Sequence, residues 1–93
     1  MPASSEQTRA AARVTLPGGV DLHARPAADF VRTAIAFSSQ ISVSVGEREA
    51  DAKSLLSILA LGAKGGTKLG LRAEGEDAAA AIDALTAIVA AFG

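Results

Sequence analysis

Cysteine, tryptophan and tyrosine are absent from this 93-residue chain, and histidine and methionine occur once each. Without cysteine there is no disulfide, no thiolate nucleophile and no cysteine-ligated metal centre. A single histidine with no carboxylate at clear ligand spacing does not make a zinc site, so neither a metal nor a cofactor is expected. Charge of one sign is lacking too: nine Lys and Arg against ten Asp and Glu leave a formal net charge of -1, with the basic residues scattered. That balance argues against a nucleic-acid-binding surface and against an acidic tail. The stretch Met1 to Ala12 is polar and Ala-rich and lacks the long apolar segment of a signal peptide or membrane span. It is read as a flexible leader, 1–12, on a single cytoplasmic domain, 13–93, with no membrane insertion. A chain this short supports one modest core and no large enclosed cavity, so any site is expected on the surface.

What is present is a change of hydrophobic period along the chain. Val14 and Leu16 alternate with Arg13 and Thr15 until Pro17-Gly18-Gly19 stops them, predicting a short strand and a loop. Ala27, Phe30, Val31, Ala34 and Ile35 then recur at helical spacing, predicting an amphipathic helix to about Phe37, broken by Ser38-Ser39-Gln40. Ile41, Val43 and Val45 alternate with serines, and Gly46-Glu47 turns the chain into a return strand through Arg48 to Asp51. After the turn Lys64-Gly65-Gly66-Thr67, Leu69, Leu71 and Ala73 form a further strand. The last helix carries Ala81, Ile82, Leu85, Ile88, Val89 and Phe92 on its apolar stripe, with Glu76 and Asp77 at the end where its dipole favours carboxylates.

Alternating strands imply a sheet with one buried and one wet face, covered by helices on one side only. The predicted fold is α+β, an open-faced β-sandwich. A four-stranded antiparallel sheet carries three helices on one face in the order β-α-β-β-α-β-α. Phe30, Val31, Ile35, Ile82, Leu85 and Val89 are expected in its core. Between the hairpin and the last strand, Ser54 suits a helix N-cap and Gly62 a left-handed stop. Leu55, Leu56, Ile58, Leu59 and Leu61 spread around much of that short helix, so one sheet face cannot bury them all. The apolar surface left over marks a protein-docking patch.

The lone histidine stands in Leu22-His23-Ala24-Arg25-Pro26-Ala27-Ala28, where a loop gives way to the first helix. A helix start offers unpartnered N–H groups and the positive end of the macrodipole, which suits an anion carried on the imidazole. Arg25 adds a planar cation that forks onto phosphate oxygens. An imidazole ordinarily titrates at about pH 6.5, so a neutral nitrogen nucleophile is available near neutrality.

These residues carry a resemblance. Leu22 to Ala28, then Ala52-Lys53-Ser54-Leu55-Leu56, then Leu61-Gly62-Ala63 with Gly65 and Gly66, in this element order, resemble the HPr family. Its members are histidine phosphocarriers of the bacterial phosphoenolpyruvate-dependent sugar phosphotransferase system. The resemblance runs from about Val14 to Phe92 and includes the family's histidine-to-serine interval.

It implies that His23 accepts a phosphoryl group from phospho-Enzyme I and passes it to the A component of a sugar-specific Enzyme II. The protein would then be a carrier in a relay and not an enzyme in its own right, and would act as a monomer. Arg25 would steady the phosphate. Ala24, Ala28, Leu55, Leu56 and Leu59 would meet successive partners, with Arg32 adding electrostatic steering. Ser54 matches a serine that an HPr kinase/phosphorylase modifies in many family members, giving a signal to a catabolite-control regulator; a plain N-cap explains it equally. The alternative function is a regulatory protein-binding module working through Ser54 and the leucine patch. Asp21 and Val20 depart from the family pattern beside the histidine. A carboxylate there either attracts a proton to His23 and repels phosphate, or points to solvent.

Overall fold

Two rows of side chains explain the sheet. The computed structural model describes residues 8–92. The elements are β1 (Arg9–Thr15), α1 (Ala24–Ile35), β2 (Gln40–Val45), β3 (Arg48–Asp51), α2 (Leu55–Leu61), β4 (Lys68–Glu74) and α3 (Ala78–Ala91). The strands pair antiparallel throughout, in the order β1-β4-β2-β3. Cross-strand register places Ala12, Leu71, Val43 and Ala50 in one row, and Ala11, Arg72, Ser42 and Asp51 in the next. Leu71, Val43 and Ala50 are buried under the helices, while Ala11, Arg72 and Asp51 are exposed. This is the one-sided sheet that strict alternation implies, since successive side chains on a strand point to opposite faces.

The helices close the other side. α3 packs across β1, β4 and β2, α2 packs on β3, and α1 lies against both α2 and α3. Ala27, Phe30, Val31 and Ala34 face inward from α1, and Ala78, Ala81, Ile82, Leu85 and Val89 from α3. Phe30 is the largest fully buried side chain. Ile88 and Phe92 are half-buried against this core.

The structure corrects the sequence reading at two points and adds detail at two others. β1 begins at Arg9, so Arg9 to Ala12 form strand and not leader; residues 1–7 lie outside the described residues. α1 starts at Ala24, directly after His23, with Pro26 inside its first turn as the sequence implies. Proline is tolerated there because the first-turn N–H groups have no intrahelical partner to lose. Ile35 is 59% exposed instead of core. The buried arc of α1 runs through Ala27, Phe30, Val31 and Ala34, and the next 100° step carries Ile35 past its edge. Asp77, finally, is the N-cap residue of α3 but makes no side-chain cap bond there.

Its carboxylate instead holds the turn after α1. Asp77 accepts from the Ser38 N–H and the Ser39 N–H at 2.9 Å each, and from both serine hydroxyls. These donors, the Ser39 hydroxyl first and the Ser38 N–H next, hold its carboxyl down to about 2 from the ordinary 3.8. The end of α1 and the start of α3 are thereby joined across 38 and 39 residues of sequence.

Candidate functional site

His23 is the N-cap residue of α1, with extended backbone at φ -106 and ψ -159. Its own N–H donates to the Asp21 carbonyl at 2.9 Å, and its carbonyl accepts the first helical bond from Ala27 at 2.8 Å. The side chain makes no cap hydrogen bond and is exposed. Pro26 has no N–H to offer. That leaves the Ala24 and Arg25 N–H groups, which have no protein acceptor among the described residues. An exposed imidazole thus stands beside two free backbone donors at the positive end of a 12-residue helix. Arg25, the next cation, is exposed and has no side-chain partner among the described residues.

The loop that presents His23 is sewn to the segment following α2. Leu16 N–H donates to the Thr67 carbonyl at 2.9 Å, Gly66 N–H to the Leu16 carbonyl at 2.8 Å, and Leu22 N–H to the Ala63 carbonyl at 2.8 Å. Gly65 N–H donates to Asp21 Oδ1 at 2.9 Å. One oxygen of Asp21 is therefore committed to a backbone donor across the loop. A side chain at Gly65 would not fit: its Cβ would lie 2.6 Å from the Gly19 nitrogen and 2.9 Å from the Pro17 oxygen. The glycine pair read as a simple turn is also the contact that lets the two loops approach.

α2 is closed where α1 is open. Ser54 caps it, its hydroxyl oxygen accepting the Ser57 N–H at 3.3 Å, and Gly62 stops it with left-handed φ 62 and ψ 32. Ile58 and Leu61 face the core, Leu59 is half-buried, and Leu55 and Leu56 are 40% and 81% exposed. On α1, Ala24 and Arg32 are exposed and Ala28 is half-buried. Arg32 pairs with Asp29 at 3.3 Å on the surface, an interaction of little energetic weight. The packing of α1 on α2 brings the two sets of candidate docking residues onto neighbouring helices.

Two positioning residues were missed in the sequence. Lys53 Nζ donates to the Phe37 carbonyl just beyond α1, and Arg48 Nη2 donates to the Leu61 carbonyl at the end of α2, both at 2.6 Å. Cations at carbonyl ends of helices are favourable, but nothing in their neighbours along the chain announces them. A concavity lined by Gln40, Ser42, Glu49, Asp51 and Arg72 among others lies on the uncovered sheet face, and His23 is not part of it. Among the described residues no three His, Asp or Glu side chains gather as metal ligands, and no helix is long and apolar enough to cross a membrane.

The family model for the PTS HPr component phosphorylation site matches residues 9–91. The chain belongs to the HPr family. Phosphocarrier protein HPr of Haemophilus influenzae is 47% identical over 68 residues, covering 73% of this chain and 80% of that protein. A multiphosphoryl transfer protein of Xanthomonas campestris is 39% identical over 88 residues, 95% of this chain but 10% of that much longer protein. The crystal structure of HPr-C-His from Thermoanaerobacter tengcongensis superposes with a TM-score of 0.85 at 40% identity, over 88% of this chain and 92% of that one. The match starts where β1 starts, at Arg9. The chain is thus an HPr-type phosphocarrier of the phosphotransferase system, with the open-faced sheet of that family.

Proposed function

We propose that His23 is the acceptor through which this phosphocarrier takes a phosphoryl group from phospho-Enzyme I and yields it to an Enzyme II A component. The observation that carries the reading is the open N-cap of α1, an exposed imidazole beside two unpartnered N–H groups. The Nδ1 lone pair of neutral His23 attacks phosphorus, and the bond between phosphorus and the donor breaks with its electron pair returning to Enzyme I. The proton on Nε2 stays in place, so no separate base is required. The Ala24 and Arg25 N–H groups and the Arg25 guanidinium meet charge spread over the phosphoryl oxygens. The reverse order of bonds delivers the group to the next protein. Ala24, Ala28, Arg32, Leu55, Leu56 and Leu59 form the docking face, and a carrier that must let go needs only a small, transient interface.

A second reading makes Ser54 a regulatory phosphorylation site for an HPr kinase/phosphorylase, with a catabolite-control regulator as reader. It is favoured by Ser54 lying half-buried at a helix start beside exposed Leu55 and Leu56, where added charge is locally tolerated yet alters the docking surface. It also draws on likeness to Crh, a Bacillus subtilis catabolite repression protein, with a TM-score of 0.71 at 36% identity over 84% of this chain and 87% of that one. Retention of His23 favours the carrier.

One intact-mass experiment separates the two readings. With phosphoenolpyruvate and Enzyme I, the chain gains one acid-labile phosphate and His23→Ala gains none. No gain by the unaltered chain, or equal gain by His23→Ala, ends the carrier reading. Acid-stable phosphate appearing with ATP and the kinase, and lost in Ser54→Ala, marks the second.

A further inference from the structure

Three consecutive residues bring the imidazole to its place, and each is held in a different way. Leu22 is 2% exposed, and its N–H donates to the Ala63 carbonyl at 2.8 Å. The His23 N–H donates back to the Asp21 carbonyl at 2.9 Å, closing a three-residue turn around Leu22. Asp21 is exposed, so packing does little to fix it, and its side chain supplies the anchor: Oδ1 accepts the Gly65 N–H at 2.9 Å. One residue thus steadies the histidine with its backbone and grips the opposite loop with its carboxylate.

The donor is placed as closely as the acceptor. A Cβ on Gly65 would stand 2.6 Å from the Gly19 nitrogen and 3.0 Å from the Val20 nitrogen, so any side chain there pushes the loops apart and draws the N–H away from Asp21. The second oxygen of Asp21 has no protein partner among the described residues. On electrostatic grounds alone a carboxylate two residues from a phosphate acceptor is unfavourable, because like charges repel. Geometry accounts for it instead: the Gly65 N–H needs an acceptor oxygen, not a charge.

We propose that Asp21 is a positioning residue for phosphoryl transfer at His23, its side chain locking the turn that sets the imidazole beside the Ala24 and Arg25 N–H groups, and that it acts as a hydrogen-bond acceptor and not as an anion. This role rests on the carrier reading above and adds to it a residue that works through the histidine. In-line transfer requires the attacking nitrogen, the phosphorus and the leaving group to be aligned, and a misplacement of about 1 Å costs up to about a hundredfold. The bond from Leu22 to Ala63 survives loss of the Asp21 side chain, so the expected cost is smaller.

Single-turnover rapid-quench transfer from phospho-Enzyme I of the same organism, with the full chain as the varied reactant, tests it. Asp21→Ala lowers the maximal rate about fivefold and leaves the half-saturating concentration within about twofold. Asp21→Asn keeps an acceptor oxygen and transfers within about twofold of the unaltered chain, or faster. By NMR, the Gly65 amide proton is protected from exchange in the unaltered chain and in Asp21→Asn, and loses that protection in Asp21→Ala. A loss carried by the half-saturating concentration alone overturns the proposal, and so does an Asp21→Asn variant as slow as Asp21→Ala, since the charge would then be what matters. Should Asp21→Ala fail to fold, a slow Asp21→Asn variant or an unprotected Gly65 amide in the unaltered chain overturns it. If the unaltered chain gains phosphate and Asp21→Ala matches its rate, this inference alone falls. If the unaltered chain gains none, the carrier reading falls and takes this inference with it.

Discussion

The starts of α1 and α2 solve one physical problem in opposite ways. Both helices begin with backbone donors that lack intrahelical acceptors. At α2 the Ser54 hydroxyl turns back onto Ser57, so the end is closed by the chain itself. At α1 the cap is a histidine whose ring makes no such bond, and two N–H groups stay open. The start of α3 offers a third arrangement, with Asp77 at the cap position but its carboxylate spent on Ser38 and Ser39. A closed cap contributes to stability. An open one forgoes that contribution and leaves its donors available.

The largest change to this contrast comes from Arg25. In Arg25→Ala the donors at the α1 start remain but the fork-shaped cation is gone, and transfer from phospho-Enzyme I slows about tenfold with an unchanged melting temperature. Rapid-quench kinetics beside a thermal melt checks this, and an unchanged rate removes Arg25 from the site.

Exchanging the caps comes next. Ser54→Ala lowers stability by about 1 kcal/mol, whereas His23→Ser raises it by about 1 kcal/mol because a hydroxyl can close the open end. Urea titrations give both values, and shifts of the same sign would mean that the two helix starts are not the opposites described. His23→Ser also ends phosphoryl acceptance.

The smallest effect is confined to acid. The Asp77 carboxyl is held near 2 in the folded chain against the ordinary 3.8. Its contribution is complete above about pH 3.8 and is lost as pH falls toward 2. Melting curves of the native chain and Asp77→Asn therefore differ most at neutral pH and converge between those values. A gap that does not narrow would remove the carboxylate charge as the source.

Much of this contrast is legible before any coordinates. Strict alternation in Ile41 to Val45 and Lys68 to Ala73 is a local signal, and both stretches are strands. Ser54 and Gly62 are local signals as well, and each caps α2 as its chemistry requires. The start of β1 was hidden because Ala10 and Ala12 are too small to announce a buried row. Ile35 looked like core because its spacing fits a stripe, and only the position of α1 on its neighbours decides which edge of the stripe is covered. The bonds from Lys53, Arg48 and Asp77 were invisible because their partners lie 13 to 39 residues away and two of the three acceptors or donors sets are plain backbone. Asp21 was ambiguous for a related reason: its acceptor role is fixed by Gly65, 44 residues along the chain.

That last contact bears on the order in which the molecule is completed. The His23 loop takes its cross-chain bonds from residues 63 to 67, and among the described residues β1 pairs with β4, which begins at Lys68. During synthesis the first third of the chain therefore emerges with its histidine but without the segment that fixes the loop around it. Closing so long a loop is slow relative to local helix formation. A ribosome-bound chain that has not yet exposed residue 67 therefore carries His23 without the bonds that give its loop the native setting.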